Sequence, residues 1–280
     1  MPSIAELKED LDDLVTMKFI SSAFTEASAV KLKNIKVKFE QNREFYEEIS
    51  HVYHLVRLNE KNVKKAQKAK ETQVGRTLTV AVTSNQRFYG NLNLNIMHSF
   101  LADTASKDTD LIVVGVTGQD YLRLTRFVHP FDKITFTKDF PSSAETKNFL
   151  EKTQPYDTVL LYYPKFVTLL TQSVGIIDIT QAAAPGKETQ DEEINILFEP
   201  EYSQILEFFQ QQVRSLLFLR VMLESDLART AARLITMSQA EERSDELIKE
   251  KKSELRKVVT SFVNRQLLET FAGMTKWNKK

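Results

Sequence analysis

Four histidines, a complete absence of cysteine and the loop TSNQRFYGNLNLNI are where any chemistry of this chain would have to begin. His51 and His54 lie three residues apart beside Glu47 and Glu48, a spacing that would place imidazole and carboxylate groups on one helix face, as a divalent metal requires. No second ligand cluster joins them, and a solvated helix face is the simpler reading. His98 and His129 have no Ser or Cys partner in a recognisable arrangement, which leaves a nucleophilic triad without its parts. Zero cysteines remove disulfides and thiolate metal sites. The loop at residues 83–96 follows the apolar run TLTVAVTS and leads into a helix-like stretch. Strand, polar loop, Gly90 and helix make up a setting in which free N–H groups of a first helical turn hold phosphate. Arg87 could meet such a phosphate. Neither G-x-x-x-x-G-K-[ST] nor G-x-G-x-x-G is present, however, so both phosphate cradles with a known mechanical basis are missing. No residue set has the make-up of an active site, and no cofactor or metal is implied.

The elements that would position these residues follow from the helix breakers. All seven glycines lie at or after Gly75, six of them between residues 75 and 190, and apart from Pro2 the prolines run from Pro130 to Pro200. The chain therefore divides into residues 1–70, a first long helix; 75–200, a globular insert; and 201–276, a second long helix. Ser3 and Glu6 form a capping box at the start of the first helix. Its apolar face is expected to run through Ile4, Leu7, Leu11 and Leu14, then Met17, Ile20, Phe24 and Ala27, and later Phe45, Ile49, Val52 and Val56. Ile35, Val37 and Phe39 alternate like a strand, but breaker-free sequence on both sides assigns them to the helix. Lys61, Lys64, Lys65, Lys68 and Lys70 form a basic tail leading into a linker.

After Pro200 an apolar series runs through Ile205, Phe209, Val213, Leu216, Leu219, Leu223, Leu227, Ala231, Leu234 and Met237. It resumes at Leu247, Leu255, Val258, Phe262 and Leu267. A helix of about 70 residues is a rod of roughly 100 Å, too long for one small domain to cover. Two such helices flanking an insert predict an antiparallel coiled coil. The insert alternates strands and helices: TLTVAVTS, a helix from Leu92 to Ala105, LIVVGV, QDYLRLTRF, KITFTK, AETKNFLEKTQ and DTVLLYYP. FVTLLTQSVGIIDIT and INILFEP read as further strands around the polar loop QAAAPGKETQDEE. The fold class is thus a Rossmann-like α/β insert, with a mainly parallel sheet, between two long terminal helices. Lys and Arg number 38 against 38 Asp and Glu, which argues against a nucleic-acid partner held by global attraction. No apolar run approaches the length of about 20 residues that spans a membrane.

The stretch LESDLARTAARLITMSQAEERSDELI resembles a helix of the γ subunit of F-type ATP synthases through Glu224, Ser225, Ala231, Ala232, Arg233, Met237, Ala240, Leu247 and Ile248. TSNQRFYGNLN is similar to the family's T-S-D-R-G-L-C-G-G-L-N at Thr83, Ser84, Gly90, Leu92 and Asn93. YYPKFVTLLTQ resembles a second motif through Tyr163, Lys165, Phe166 and Gln172, and residues Phe198 to Pro200 resemble the F-E-P that opens the family's last helix. The resemblance implies a rotor: a shaft turning inside a ring of alternating α and β subunits, which carry the catalytic sites, while the shaft hydrolyses nothing. It also implies a small stalk subunit and a membrane rotor ring as partners, and a peripheral location on the cytoplasmic side of a membrane.

The departures bear on the partner surfaces. The family's C-terminal Arg-Gln pair falls on Val259 and Thr260, and its Thr-Gln on Asn264 and Arg265, while Leu267, Glu269 and Gly273 persist. Its basic N-terminal segment is answered by LKEDLDDLVTMKFISSAF, which reverses the charge. By position, Lys18, Arg256, Lys257, Asn264, Arg265 and Glu269 are the expected ring contacts. Two other readings stand beside the rotor of an ATP synthase: a specialised F-type-like ATPase serving motility or surface-protein handling, and an enzyme that binds nucleotide in the α/β insert.

Overall fold

A computed structural model describes residues 3–64, 75–105, 109–180 and 202–277. The elements are α1 (Ile4–Lys64), β1 (Thr77–Val82), α2 (Leu92–Thr104), β2 (Asp110–Val114), α3 (Val116–Leu124), β3 (Asp132–Ile134), α4 (Ser143–Thr153), β4 (Thr158–Phe166), β5 (Gln172–Asp178) and α5 (Tyr202–Trp277). They fall into two compact units, Met1–Ser28 with Arg233–Lys280, and Ala29–Ala232. The expected boundaries near residues 70–75 and at 200 fall on or next to residues outside the described ones, as do Lys65, Lys68, Lys70, the polar loop and INILFEP.

The larger unit holds a five-stranded sheet of order β3-β2-β1-β4-β5. β1 pairs in parallel with β2 and β4, and β2 with β3, whereas β5 runs antiparallel to β4. The sheet is therefore mixed. Its central strands are apolar on both faces because helices cover both. On one face Ala81, Leu111, Val113 and Tyr162 pack with Ile96, Met97 and Phe100 of α2 and Leu122 of α3. On the other, Leu78, Val80, Val82, Ile112, Val114, Val159, Leu161 and Tyr163 meet Phe149 of α4, Tyr46 of α1 and Val213, Leu217, Phe218, Val221 and Met222 of α5. The Phe149 and Phe218 rings stack there at 4.4 Å.

Two strand expectations need correcting. KITFTK overlaps the short strand Asp132–Ile134 only at Lys133 and Ile134, after which Phe136 turns into the core. Of FVTLLTQSVGIIDIT, the middle is a turn closed by the Thr168 N–H donating to the Thr171 carbonyl at 2.9 Å, and only Gln172–Asp178 is a separate strand. Residues 35–39 are helical, with Ile35 buried and Val37 exposed.

The face of α1 also departs from the expected one. Leu7, Ser21, Ser28, Ile35 and Asn42 are buried, with Leu14 and Ile49 partly so, at strict seven-residue intervals. Met17, Ile20, Ala27 and Phe45, expected in the seam, are exposed. A small hydroxyl residue can enter a helix seam by bonding its own backbone, as the Ser244 hydroxyl does by donating to the Ala240 carbonyl at 2.8 Å. Hydropathy alone does not rank such a position as buried. In the smaller unit α1 and α5 run antiparallel: Lys18 pairs with Asp245 and Asp10 with Lys251, each at 2.8 Å, and Arg233 lies over the Phe24 ring. In the larger unit Lys31 pairs with Asp226 at 2.7 Å, and Arg220 lies over the Tyr46 ring.

Candidate functional site

The loop after β1 is filled by the chain's own groups. The Thr83 N–H and hydroxyl both donate to the Val114 carbonyl, at 2.9 and 2.6 Å, and the Gly118 N–H donates to the Thr83 hydroxyl at 3.0 Å. Gly115 and Gly118 permit this approach: a Cβ on either would sit under 3 Å from Thr83, and Gly115 also has φ +94°. The Asn85 N–H donates to Asp139 Oδ1 at 2.6 Å, and its side-chain amide donates to the Phe136 carbonyl at 2.8 Å. The Tyr89 hydroxyl donates to Asp139 Oδ2 at 2.7 Å, and Asn93 donates to the Ser84 hydroxyl at 2.8 Å.

Arg229 of α5 completes this node. Its side chain is fully buried, and it donates to the Thr83 carbonyl at 3.0 Å and to the Asp139 carbonyl at 3.1 Å. Tyr89 and Leu92 pack against Ala232 nearby. Arg229 is thus spent on main-chain carbonyls, and the Ser84, Asn85, Tyr89 and Asn93 side chains are bonded to other groups of the chain. The backbone takes left-handed values at Phe88 (φ 69°) and Gly90 (φ 56°), leaving the Phe88 ring half exposed. Strand, loop and helix here form a docking joint.

A second polar link ties β4 to α5. The buried Tyr163 hydroxyl donates to Glu224 Oε2 at 3.0 Å. Burial pushes the Glu224 carboxyl up, opposed by the Tyr163 bond and by Arg220 and Lys165. Burial likewise pushes the Tyr163 phenol up, with the charge of Glu224 adding to it.

The surface available to partners lies elsewhere. From Val259 to Met274 every residue of α5 is exposed, including Phe262, Val263, Leu267, Leu268, Phe271 and Met274. Val259, Val263, Leu267, Phe271 and Met274 fall at intervals of four, four, four and three, so they share one helical stripe. Phe262 and Leu267, expected in the coiled-coil seam, are exposed. Sequence reasoning misses this stripe as a surface, although its period is visible there.

Arg256, Lys257, Asn264, Arg265 and Glu269 are all exposed on the same helical segment. Arg265 and Glu269 pair with each other at 3.5 Å. Lys18 is half-buried and held by Asp245, a bond that pushes its amine up, so it stands apart from the C-terminal group. Arg87 is exposed on the loop. His98 tilts against Tyr121 and His129 against Phe127. His51 is half-buried on α1 with Glu47 and Glu48 exposed, and the side chain of His54 lies outside the described ones. Among the described residues no three His, Asp or Glu side chains are grouped to hold a metal, and no helix is long and apolar enough to cross a membrane.

This chain, with its exposed apolar helix end and its α/β unit, is matched over residues 3–275 by the family model described as ATP synthase. The chain belongs to the ATP synthase gamma family. A gamma chain from Amoebophilus asiaticus is 21% identical over 98% of both chains, and one from Flavobacterium johnsoniae is 24% identical over 98% of both. A chain of the central stalk of the Tetrahymena thermophila mitochondrial ATP synthase has a TM-score of 0.61 at 20% identity, covering 79% of this chain and 99% of that one. A gamma chain is the non-catalytic central-stalk rotor of an F-type ATP synthase, and the catalytic sites belong to the beta subunits. In this chain Arg229 and the loop at residues 83–93 are parts of a structural joint.

Proposed function

We propose that this chain works as the rotating shaft inside a ring of α and β subunits, with α1 and α5 forming one continuous antiparallel coiled coil and the apolar stripe at residues 259–274 seated in the ring. The observation that carries this reading is the stripe itself: five large apolar side chains, Phe262, Val263, Leu267, Leu268 and Met274, are exposed to solvent at one end of α5. An exposed apolar run of that length is held in place by a partner. Arg256, Lys257, Asn264, Arg265 and Glu269 lie along the same segment and supply polar contacts that can be exchanged as the shaft turns. A stiff helix biases one of several near-equivalent packings against the ring at each step. A small stalk subunit and a membrane rotor ring complete the assembly, which places the chain peripherally on the cytoplasmic side of a membrane.

Affinity purification of the intact chain tests this reading. α and β ATPase subunits are expected to come with it, and the chain alone is expected to hydrolyse no ATP; recovery without such subunits would overturn the reading. A specialised F-type-like ATPase, serving motility or surface-protein handling, is favoured by one feature. Glu6, Glu9, Asp10, Asp12 and Asp13 are all exposed on α1, where the resemblance implies basic residues. The subunit inventory of the same purification, with or without a membrane ring, separates the two. Direct nucleotide binding by the α/β unit is disfavoured by the closed loop, and calorimetric titration of the full chain with ATP checks it.

A further inference from the structure

We propose that Arg229 is a positioning residue for torque transfer: a polar key that fixes the α/β unit rotationally on α5, so that the two turn as one body. The proposal rests on the rotor reading. Most of the joint between α5 and the sheet is apolar, through Val213, Leu217, Phe218, Val221 and Met222. Apolar burial resists separation of two surfaces, but it is non-directional and resists sliding only through local packing. Torque about a shaft is a sliding load. Directional bonds oppose it, and α5 makes them at successive heights: Arg214 donates to the Thr153 carbonyl at 3.3 Å, Glu224 accepts from Tyr163 at 3.0 Å, and Arg229 donates to both Thr83 and Asp139.

Of these, the Arg229 contact is the stiffest by construction. Its guanidinium is fully buried, so displacing it from the two carbonyls would leave a charge without solvent or partner. Its acceptors cannot easily follow it. Thr83 is fixed to β2 through Val114 and to α3 through Gly118, and Asp139 is braced by Asn85 and Tyr89. A force entering at Arg229 therefore spreads into β1, β2, α3 and the loop after β1 before the sheet can move against the helix.

The chain contains no cysteine, so Ala144→Cys on the exposed start of α4 gives a single attachment point for a rotation probe. In the assembled ATPase complex, rotation of this probe against viscous load and ATP hydrolysis are measured together for the parent, Arg229→Met and Arg229→Lys. Arg229→Met keeps an unbranched stem and removes both donors. Slip events under load are expected to rise on the order of tenfold or more for each bond lost, with Arg229→Lys partly restoring the parent's behaviour. Phe100→Ala, in the core on the sheet face away from α5, serves as a purely structural control, expected to melt earlier than the parent without added slip. Parent-like load bearing in Arg229→Met, or slip that simply follows melting temperature across all variants, overturns the proposal. Should Arg229→Met not assemble, Tyr89→Phe carries the comparison, because it loses the hydroxyl that braces Asp139; unchanged slip there also overturns it. If the parent itself does not rotate, the rotor reading fails instead.

Discussion

Gly175→Ala offers a quantitative probe of the joint between β4, β5 and α5. Gly175 lies opposite Tyr163 in the antiparallel pair, and a Cβ there would sit 2.7 Å from both Cε1 and Cζ of that ring. The ring cannot swing aside freely, since its hydroxyl is bonded to Glu224 at 3.0 Å. Overpacking of this kind costs about 1–3 kcal/mol, and loss of the bond to a buried carboxyl about 1.5–3 kcal/mol more. Removing a glycine from a strand returns about 0.5–1 kcal/mol, for a net loss of about 1.5–5.5 kcal/mol. Urea unfolding should be followed by the near-UV signal of the tyrosines, because the single tryptophan, Trp277, lies at the far end of α5. In a Tyr163→Ala background the clash is absent, and Gly175→Ala should then cost at least about 1 kcal/mol less than it does alone. A cost under about 0.5 kcal/mol in the parent, or an unchanged cost in the Tyr163→Ala background, would refute the reasoning.

Serine at Leu267 and Leu268 together should leave the melting temperature of the free chain unchanged, as both side chains stand in solvent, while recovery of α and β subunits in pull-down falls sharply. Glu145 closes the capping box of α4, and N–H bonds from Ser142 and Thr137 lower its carboxyl to about 2. Its contribution to stability is complete above the unfolded value of 4.5 and is lost as pH falls toward 2, so Glu145→Gln should flatten the acid limb of stability against pH. Glu224 runs the other way: burial raises its carboxyl, so stability is lost as pH rises from 4.5 through the folded value, and Glu224→Gln should reduce that dependence in pH-dependent melting curves. Exchanging the charges of Lys18 and Asp245 together should preserve stability better than either single change, and the difference should shrink in high salt.

The two long helices are legible from the breakers: apart from Gly273 near the end of α5, glycine and proline are absent from α1 and α5, for steric and hydrogen-bonding reasons that need no tertiary context. The parallel core of the sheet is equally legible, because strands covered on both faces are apolar throughout. The seam of α1 is not, because Ser21, Ser28 and Asn42 enter it at heptad positions while Met17, Phe19 and Ile20 face outward. Hydropathy orders residues by transfer energy, and a narrow seam selects by size as well. The exposed stripe of α5 keeps the period of a seam, so periodicity alone does not separate a surface stripe from a buried one. Arg229 offers no signal at all: a single arginine in a charged helix gives no hint that it is the buried key of a loop 146 residues earlier in the chain.

Free rotation tests the central claim most directly. A probe fixed through Ala144→Cys to the chain, in a surface-held complex of the intact chain with its ring, is predicted to turn stepwise in one direction when ATP is added. Continuous ATP hydrolysis by that complex with a stationary probe would contradict the account.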